Sequence, residues 1–273
     1  LDNEFDYIKM INDFGDSIKS GLETVKVFSE SFERGVKNVY NFFEYLESIN
    51  YKYLLSNFEE GVEIKVESLN KYLLKENWYL PHISLENMVD LLNIINDERL
   101  EDKEKYKAVD FIMQEIVSEN MDNLKSKLNS KFEERQSIFE EMFKAYDEKR
   151  YILCIPVMLA QIDGICNKLL GVNFFSKEYR LQDTPRTKLV IERKKSEINI
   201  SKLEAAELIP LYFVSELFKK TNDENILNRH NILHGTSYKY GSKLNADKCI
   251  ALIGFLLKVD EIINGEIYAE KSM

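Results

Sequence analysis

The chain has 273 residues, 44% apolar and 31% charged, and its ten glycines and four prolines among many Leu, Ile, Lys and Glu suit helix rather than sheet. Its net charge of −10 is uneven: residues 1–149 hold 19 Lys+Arg against 32 Asp+Glu (net −13), and residues 150–273 hold 18 against 15 (net +3). The acidic part disfavours polyanions, so a nucleic-acid surface is expected only in the later part.

From about Ser17 to Asn50, Leu22, Val25, Phe28, Phe32, Val36, Val39, Phe43 and Leu46 recur at spacings of three and four, which predicts one amphipathic helix. Tyr51 to Leu74 repeats the pattern less regularly, with Gly61 as the expected break. Trp78-Tyr79-Leu80-Pro81-His82 reads as a turn, because Pro81 pushes Leu80 out of the α region, and His82 is expected at the surface. Ser84 is placed to cap a helix through about Asn96. Two longer helices are expected near Lys103–Asn120 and Met121–Lys149, with Glu and Lys on their solvated faces.

At Tyr151 the texture changes. Tyr151 to Ala160 is wholly apolar, too short to span a bilayer, and predicts a helix buried all round, with Pro156 in its first turn or at a kink. Gln161 and Asp163 follow before Gly171 ends the helix. A carboxylate there either lies on a surface face or needs a partner, for which Arg229 and the two C-terminal histidines are the candidates. Cys154, Cys166 and Cys249 are odd in number, lack CxxC spacing and sit in apolar helical patterns, so they read as buried hydrophobes of a cytoplasmic protein. Asn173 to Ser201 is polar and poorly periodic, with no strand of consequence expected. With Lys202 it carries eight basic residues against four acidic ones, and Arg193-Lys194-Lys195 is either a solvated run or an RNA contact. Ser201-Lys202-Leu203-Glu204 is a capping box for a helix to about Lys220 containing Pro210, and Asn245 is a candidate N-cap for a last helix ending at Asn264-Gly265. No secretory n-region and h-region opens the chain, and a start at Leu1 rather than Met is expected of a chain lacking a short leading piece.

The densest chemistry is Asn228 to Gly235, NRHNILHG, which holds two of the three histidines and one of the eight arginines. Thr221-Asn222-Asp223-Glu224 reads as the capping box that opens its helix and Gly235 as the C′ glycine that closes it. Arg229 and His234 lie about 140° apart around a helix, while His230 and His234 share a face. Arg is a bidentate phosphate ligand of permanent charge, and His can exchange a proton near neutral pH. Together they supply a base for an RNA 2′-hydroxyl and a cation for the charge that builds on the phosphorane, with no metal or cofactor required.

Arg229-His230-x-x-x-His234 resembles the R-x(4–6)-H signature of the HEPN superfamily, with His230 in the polar position after the arginine. Asn228, Ile232, Leu233, Gly235 and Tyr240-Gly241 are similar to a bacterial group reading roughly NRHxIxHG…YG, and Gln161-Ile162-Asp163-Gly164 to its QIDG helix. The resemblance covers about residues 150–264. It implies an all-α fold: a HEPN-like antiparallel bundle over 150–273 beside an acidic helical region, 1–149, of unassigned role. It also implies a homodimer that brings two motifs together as a composite ribonuclease site, in phage defence, toxin or stress-response systems, with an antitoxin or sensor protein as a partner and no membrane. Arg229, His234 and His230 would be catalytic, Asp163, Asn231 and Tyr240 supporting, and Arg193, Lys194 and Lys195 RNA-binding. Tyr238 and Tyr240 are otherwise packing residues.

Two other readings compete. One is a non-catalytic dimerisation or binding module. The other is a metal site using His230, His234 and Asp163, although Asn231 stands where the H-E-x-x-H pattern needs Glu.

Overall fold

The computed structural model describes residues 51–181, 183–213 and 227–271. The helix expected over Ser17–Asn50, the box at Thr221 and the stretch 214–220 lie outside the described residues. The chain divides into two compact units, 1–58 and 59–273, and residues 149 and 150, where the composition changes, both belong to the second.

Among the described residues the fold is all-α apart from one two-stranded hairpin. Helix α1 (Tyr51–Lys75) runs unbroken through Gly61, contrary to expectation. One glycine costs only about 1 kcal/mol in a helix, and burial of Val66, Leu69 and Leu73 in later turns offsets it. The turn after it carries Trp78, Tyr79 and Leu80 into the core, where the Trp78 Nε1 donates to Asp110 at 2.7 Å. His82 lies at the surface against Glu261, 2.7 Å away.

Helix α2 (Leu85–Asn96) is capped by the Ser84 hydroxyl, which accepts from the Asn87 N–H. Helix α3 (Asp102–Lys131) and helix α4 (Gln136–Asp147) meet more than ten residues later than the pattern suggests. Asn120 does not stop α3; its side chain donates back to the Ile116 carbonyl within the helix. The break comes where Phe132, fully buried, turns the backbone and a 3₁₀ turn over Glu133–Arg135 follows.

Helix α5 (Tyr151–Leu170) ends at Gly171 in the left-handed region, φ 72°. Among the described residues it is the one helix long and apolar enough to cross a membrane. It is not buried all round, however: Cys154, Ile155, Met158, Leu159 and Ile162 face the core while Ile152 and Leu153 are 58% and 54% exposed. Pro156 lacks the N–H that would bond the Ile152 carbonyl, and the Tyr240 hydroxyl donates to that carbonyl instead, at 3.2 Å.

Among the described residues, the helix buried nearly all round is the last, α9 (Lys243–Lys271), over residues 245–263. Its N-cap is Ser242, whose hydroxyl accepts from the Asn245 N–H, and it continues through Gly265 rather than ending there. Asn245 instead donates its side-chain amide to the Tyr240 carbonyl. Charges disguise α9 in the sequence, because each buried one has a partner. Asp247 accepts from Gln114, Tyr146 and Lys243, Asp260 from Lys131 and Asn264, and Lys258 meets Glu207 at 2.8 Å. Helices α3, α4, α5 and α9 share one continuous core, so the residues before and after 150 fold together.

Between α5 and the motif the chain forms β1 (Lys177–Glu178), β2 (Thr184–Pro185), α6 (Arg186–Glu197) and α7 (Lys202–Glu207). The Ser201 capping box is formed, but α7 stops at Glu207 and a 3₁₀ turn over Ile209–Tyr212 takes its place. Pro210 is the reason: its ring and missing N–H do not continue an α-helix from α7.

Candidate functional site: an arginine and two histidines on a docked helical turn

The motif folds as α8 (Arg229–Leu233), five residues that would not hold a helix alone. Its N-cap is Asn228, whose side-chain oxygen accepts from the Asn231 N–H at 3.0 Å. At the other end His234 is the C-cap and Gly235 adopts φ 71°. The Thr236 N–H returns to the Asn231 carbonyl and the Gly235 N–H to the Ile232 carbonyl, which is a Schellman closure. Leu227, Asn228, Asn231 and Ile232 are buried and dock the turn, whereas Arg229 and His230 are half-buried and His234 is exposed. One face of five residues is thus spent on anchoring and the other carries all the ionisable chemistry. The two imidazoles lie against each other, ring centroids 4.4 Å apart.

Helix α5 supplies the partner for Arg229. The guanidinium Nη2 donates to Asp163 Oδ2 at 2.8 Å, and the other carboxylate oxygen accepts the Phe175 N–H at 3.1 Å. The Phe175 ring lies under the guanidinium, 4.9 Å from its carbon. Asp163 therefore ties together α5, the loop after it and the motif. A charged hydrogen bond of this kind is worth about 1.5–3 kcal/mol and the ring contact about 0.5–2 kcal/mol. Among the described residues Asp163 is the one hydrogen-bond acceptor of Arg229; its Nε is buried without one.

The neighbours of Asp163 explain the rest of the QIDG turn. Gln161 accepts from the Arg135 guanidinium at 2.8 Å, and Ile162 is fully buried. Gly164 leaves room for that guanidinium: a Cβ there would lie 2.4 Å from an Arg135 nitrogen and would push the side chain aside. Nothing in the sequence marks Arg135 for this role, because it is a lone basic residue in an acidic stretch, 26 residues from Gln161. Gly241 is likewise confined, because a Cβ there would lie 2.3 Å from the Ile152 side chain.

The remaining candidates divide. Asn231 acts through its backbone carbonyl, which accepts from Thr236 and Ser237 and closes α8. The Tyr240 hydroxyl is used on the Ile152 carbonyl. Arg193 and Lys194 both approach Glu197, at 3.8 and 3.5 Å, on the last turn of α6, and Lys195 lies 5.0 Å from the Tyr212 ring. The basic run lies on α6, where Arg193 and Lys194 share Glu197. The three cysteines are buried; burial pushes the Cys154 thiol up to about 11 and raises Cys166 and Cys249 further, so none is primed as a nucleophile. Among the described residues no three His, Cys, Asp or Glu side chains converge as a metal-ligand set: Asp163 turns toward Arg229 and Phe175 rather than completing a triad with His230 and His234. Compared with known proteins, the chain matches no family model, no curated protein and no solved structure.

Proposed function

We propose that the protein is a metal-independent endoribonuclease of the HEPN type, with Arg229 as the phosphate ligand and His234 and His230 as the proton-transfer pair. The observation that carries this reading is one arginine, fixed from behind by a carboxylate and an aromatic ring, on the same helical turn as two imidazoles in contact. Positioned cations and a base are what backbone cleavage of RNA demands. One imidazole takes the proton of the 2′-hydroxyl as its oxygen forms a bond to phosphorus. The P–O5′ bond breaks, and a protonated imidazole returns a proton to the leaving oxygen. The products are a 2′,3′-cyclic phosphate and a free 5′-hydroxyl. Arg229 Nη1, which no described residue occupies, is the group that would meet the charge developing on the phosphoryl oxygens.

The composite site implied by the resemblance has support in the surface around the motif. Leu233 and Tyr238 beside the histidines are 40% and 67% exposed, and Ile152, against which Gly241 packs, stands next to the equally exposed Leu153. Apolar residues clustered around polar chemistry are the pattern of a face that closes on a second copy, and a two-fold axis would double the set of Arg and His groups. A cytoplasmic role in defence or stress response follows from the same reading.

The test is direct. Purified protein incubated with single-stranded RNA of mixed sequence in EDTA should cleave it, leave cyclic phosphate ends and run as a dimer by light scattering. Failure to cleave, with RNA still bound, replaces this reading with that of a binding module.

A further inference from the structure

The loop that supports Arg229 continues into the most exposed aromatic and basic feature of the described surface. Phe175 lies under the guanidinium, and two residues later the chain enters the hairpin β1–β2. Lys177 pairs with Pro185 and Glu178 with Thr184. The Arg186 N–H donates to the Ser176 carbonyl at 3.1 Å, the Thr184 hydroxyl to the Leu181 carbonyl, and the Arg186 guanidinium to Glu178 at 3.4 Å. A two-residue ladder is weak alone, so these closures set its shape. What they hold outward is Tyr179, 77% exposed, Arg180, also exposed, and Leu181 at 51%. Neither Tyr179 nor Arg180 is part of the buried core.

The charge around it selects the occupant. In a chain of net −10, residues 173–202 carry an excess of +4. On α6, which follows β2 directly in the chain, Lys188 and Lys195 lie 5.9 and 5.0 Å from the Tyr212 ring. An exposed ring beside arginine and lysine is the pairing that binds single-stranded nucleic acid, with a base on the ring and cations on the backbone. From Phe175 to Tyr179 is four residues, so their Cα atoms lie at most about 14 Å apart. A strand running along this loop from a phosphate on Arg229 would reach Tyr179 within a few nucleotides.

We infer that residues 177–181 are the substrate-binding platform of the same site, with Tyr179 stacking on an unpaired base a few nucleotides from the scissile phosphate and Arg180 contacting the adjoining backbone. This rests on the ribonuclease reading and specifies its substrate as single-stranded RNA held on one side of the cleavage point. Stacking is lost with the ring but not with the hydroxyl.

The experiment measures binding apart from cleavage, by fluorescence anisotropy of a labelled mixed-sequence single-stranded RNA on full-length His234→Ala protein. Adding Tyr179→Ala should weaken binding roughly 5- to 150-fold, and Tyr179→Phe should leave it within about twofold. Arg180→Ala should reduce the slope of log K against log salt by about 0.7. Tyr179 is exposed enough that melting curves should not change. Binding unaltered by Tyr179→Ala, or weakened equally by Tyr179→Phe, overturns the platform. If Arg229→Ala still abolishes binding in that case, the ribonuclease reading survives without it. RNA left unbound by the parent protein, with no cleavage by the wild type, overturns both.

Discussion

Helix α9 and helix α8 both carry ionised side chains against the core, and they handle them oppositely. On α9 the charge is removed from water and fully met. Asp247 is wholly buried and accepts three hydrogen bonds, and Asp260 is wholly buried with Lys131 and Asn264. Lys248 is buried between the Trp78 ring, 5.5 Å away, and Asp110, 4.0 Å away, and burial lowers its pKa. On α8 the charge is half in water. Arg229 has one carboxylate on one arm, His230 is half-buried, and His234 is exposed at the end of the turn. Buried, saturated charges specify how helices dock, whereas a cation that among the described residues has one carboxylate acceptor keeps donors for something else.

Disarming one charge in each helix puts that contrast under the greatest strain. Asp247→Ala should destabilise the fold by about 3–5 kcal/mol, because it leaves the Tyr146 hydroxyl and the Gln114 amide unmatched. Denaturant melts read that loss, and any loss of activity should follow unfolding. Arg229→Ala should lower kcat/KM about 10²–10³-fold in protein that is still folded, with melting reduced by no more than the lost ion pair and ring contact, about 2–5 kcal/mol together. Arg229→Lys should recover little of it, since an ammonium cannot both hold Asp163 and present a planar fork to phosphate.

Asp163→Asn probes the same contrast at an intermediate size. The amide oxygen can still accept the Phe175 N–H, but the charged partner of Arg229 is gone. Single-turnover cleavage should fall roughly 10- to 100-fold, matching the energy of a charged hydrogen bond. Melting should change by less than that same energy. An Asn variant that cleaves normally would make Asp163 a packing residue. The smallest effect expected is that of Tyr240→Phe, which removes a hydroxyl from a helix carbonyl and should cost about 1 kcal/mol of stability with cleavage retained.

The sequence is most legible where one residue decides a local structure. Ser84 and Ser201 are caps and Gly171 and Gly235 take the left-handed region, whereas the turn expected at Trp78–His82 falls earlier, at Glu76–Asn77, where Asn77 has φ 60°. It is least legible where a tertiary partner decides. Gly61 and Asn120 look like breaks, but burial along α1 and a side-chain bond within α3 carry each helix through. The same reason makes α5 look more buried than α9, and the reverse is true. Helix α5 lacks charges at its start yet exposes Ile152 and Leu153, while α9 carries four buried charges, most with partners distant in the chain. In the candidate site, the Arg and His spacing and the isolated Asp163 are visible in the sequence, and their geometric link is the 2.8 Å contact across 66 residues. Arg135 and the hairpin are not, since nothing local marks a side chain whose partner, Gln161, lies 26 residues on.

The proposed mechanism stands or falls on the imidazole of His234 moving a proton in RNA cleavage. Wild type and His234→Ala, purified in parallel, should be given the same single-stranded RNA in EDTA, with oligomeric state and melting recorded. The expected result is cyclic phosphate products from the wild type, a loss of about 10²–10⁴-fold in the variant, and an unchanged fold and assembly. Equal cleavage by both proteins would contradict the mechanism, and so would a wild-type activity abolished by the chelator and restored by zinc.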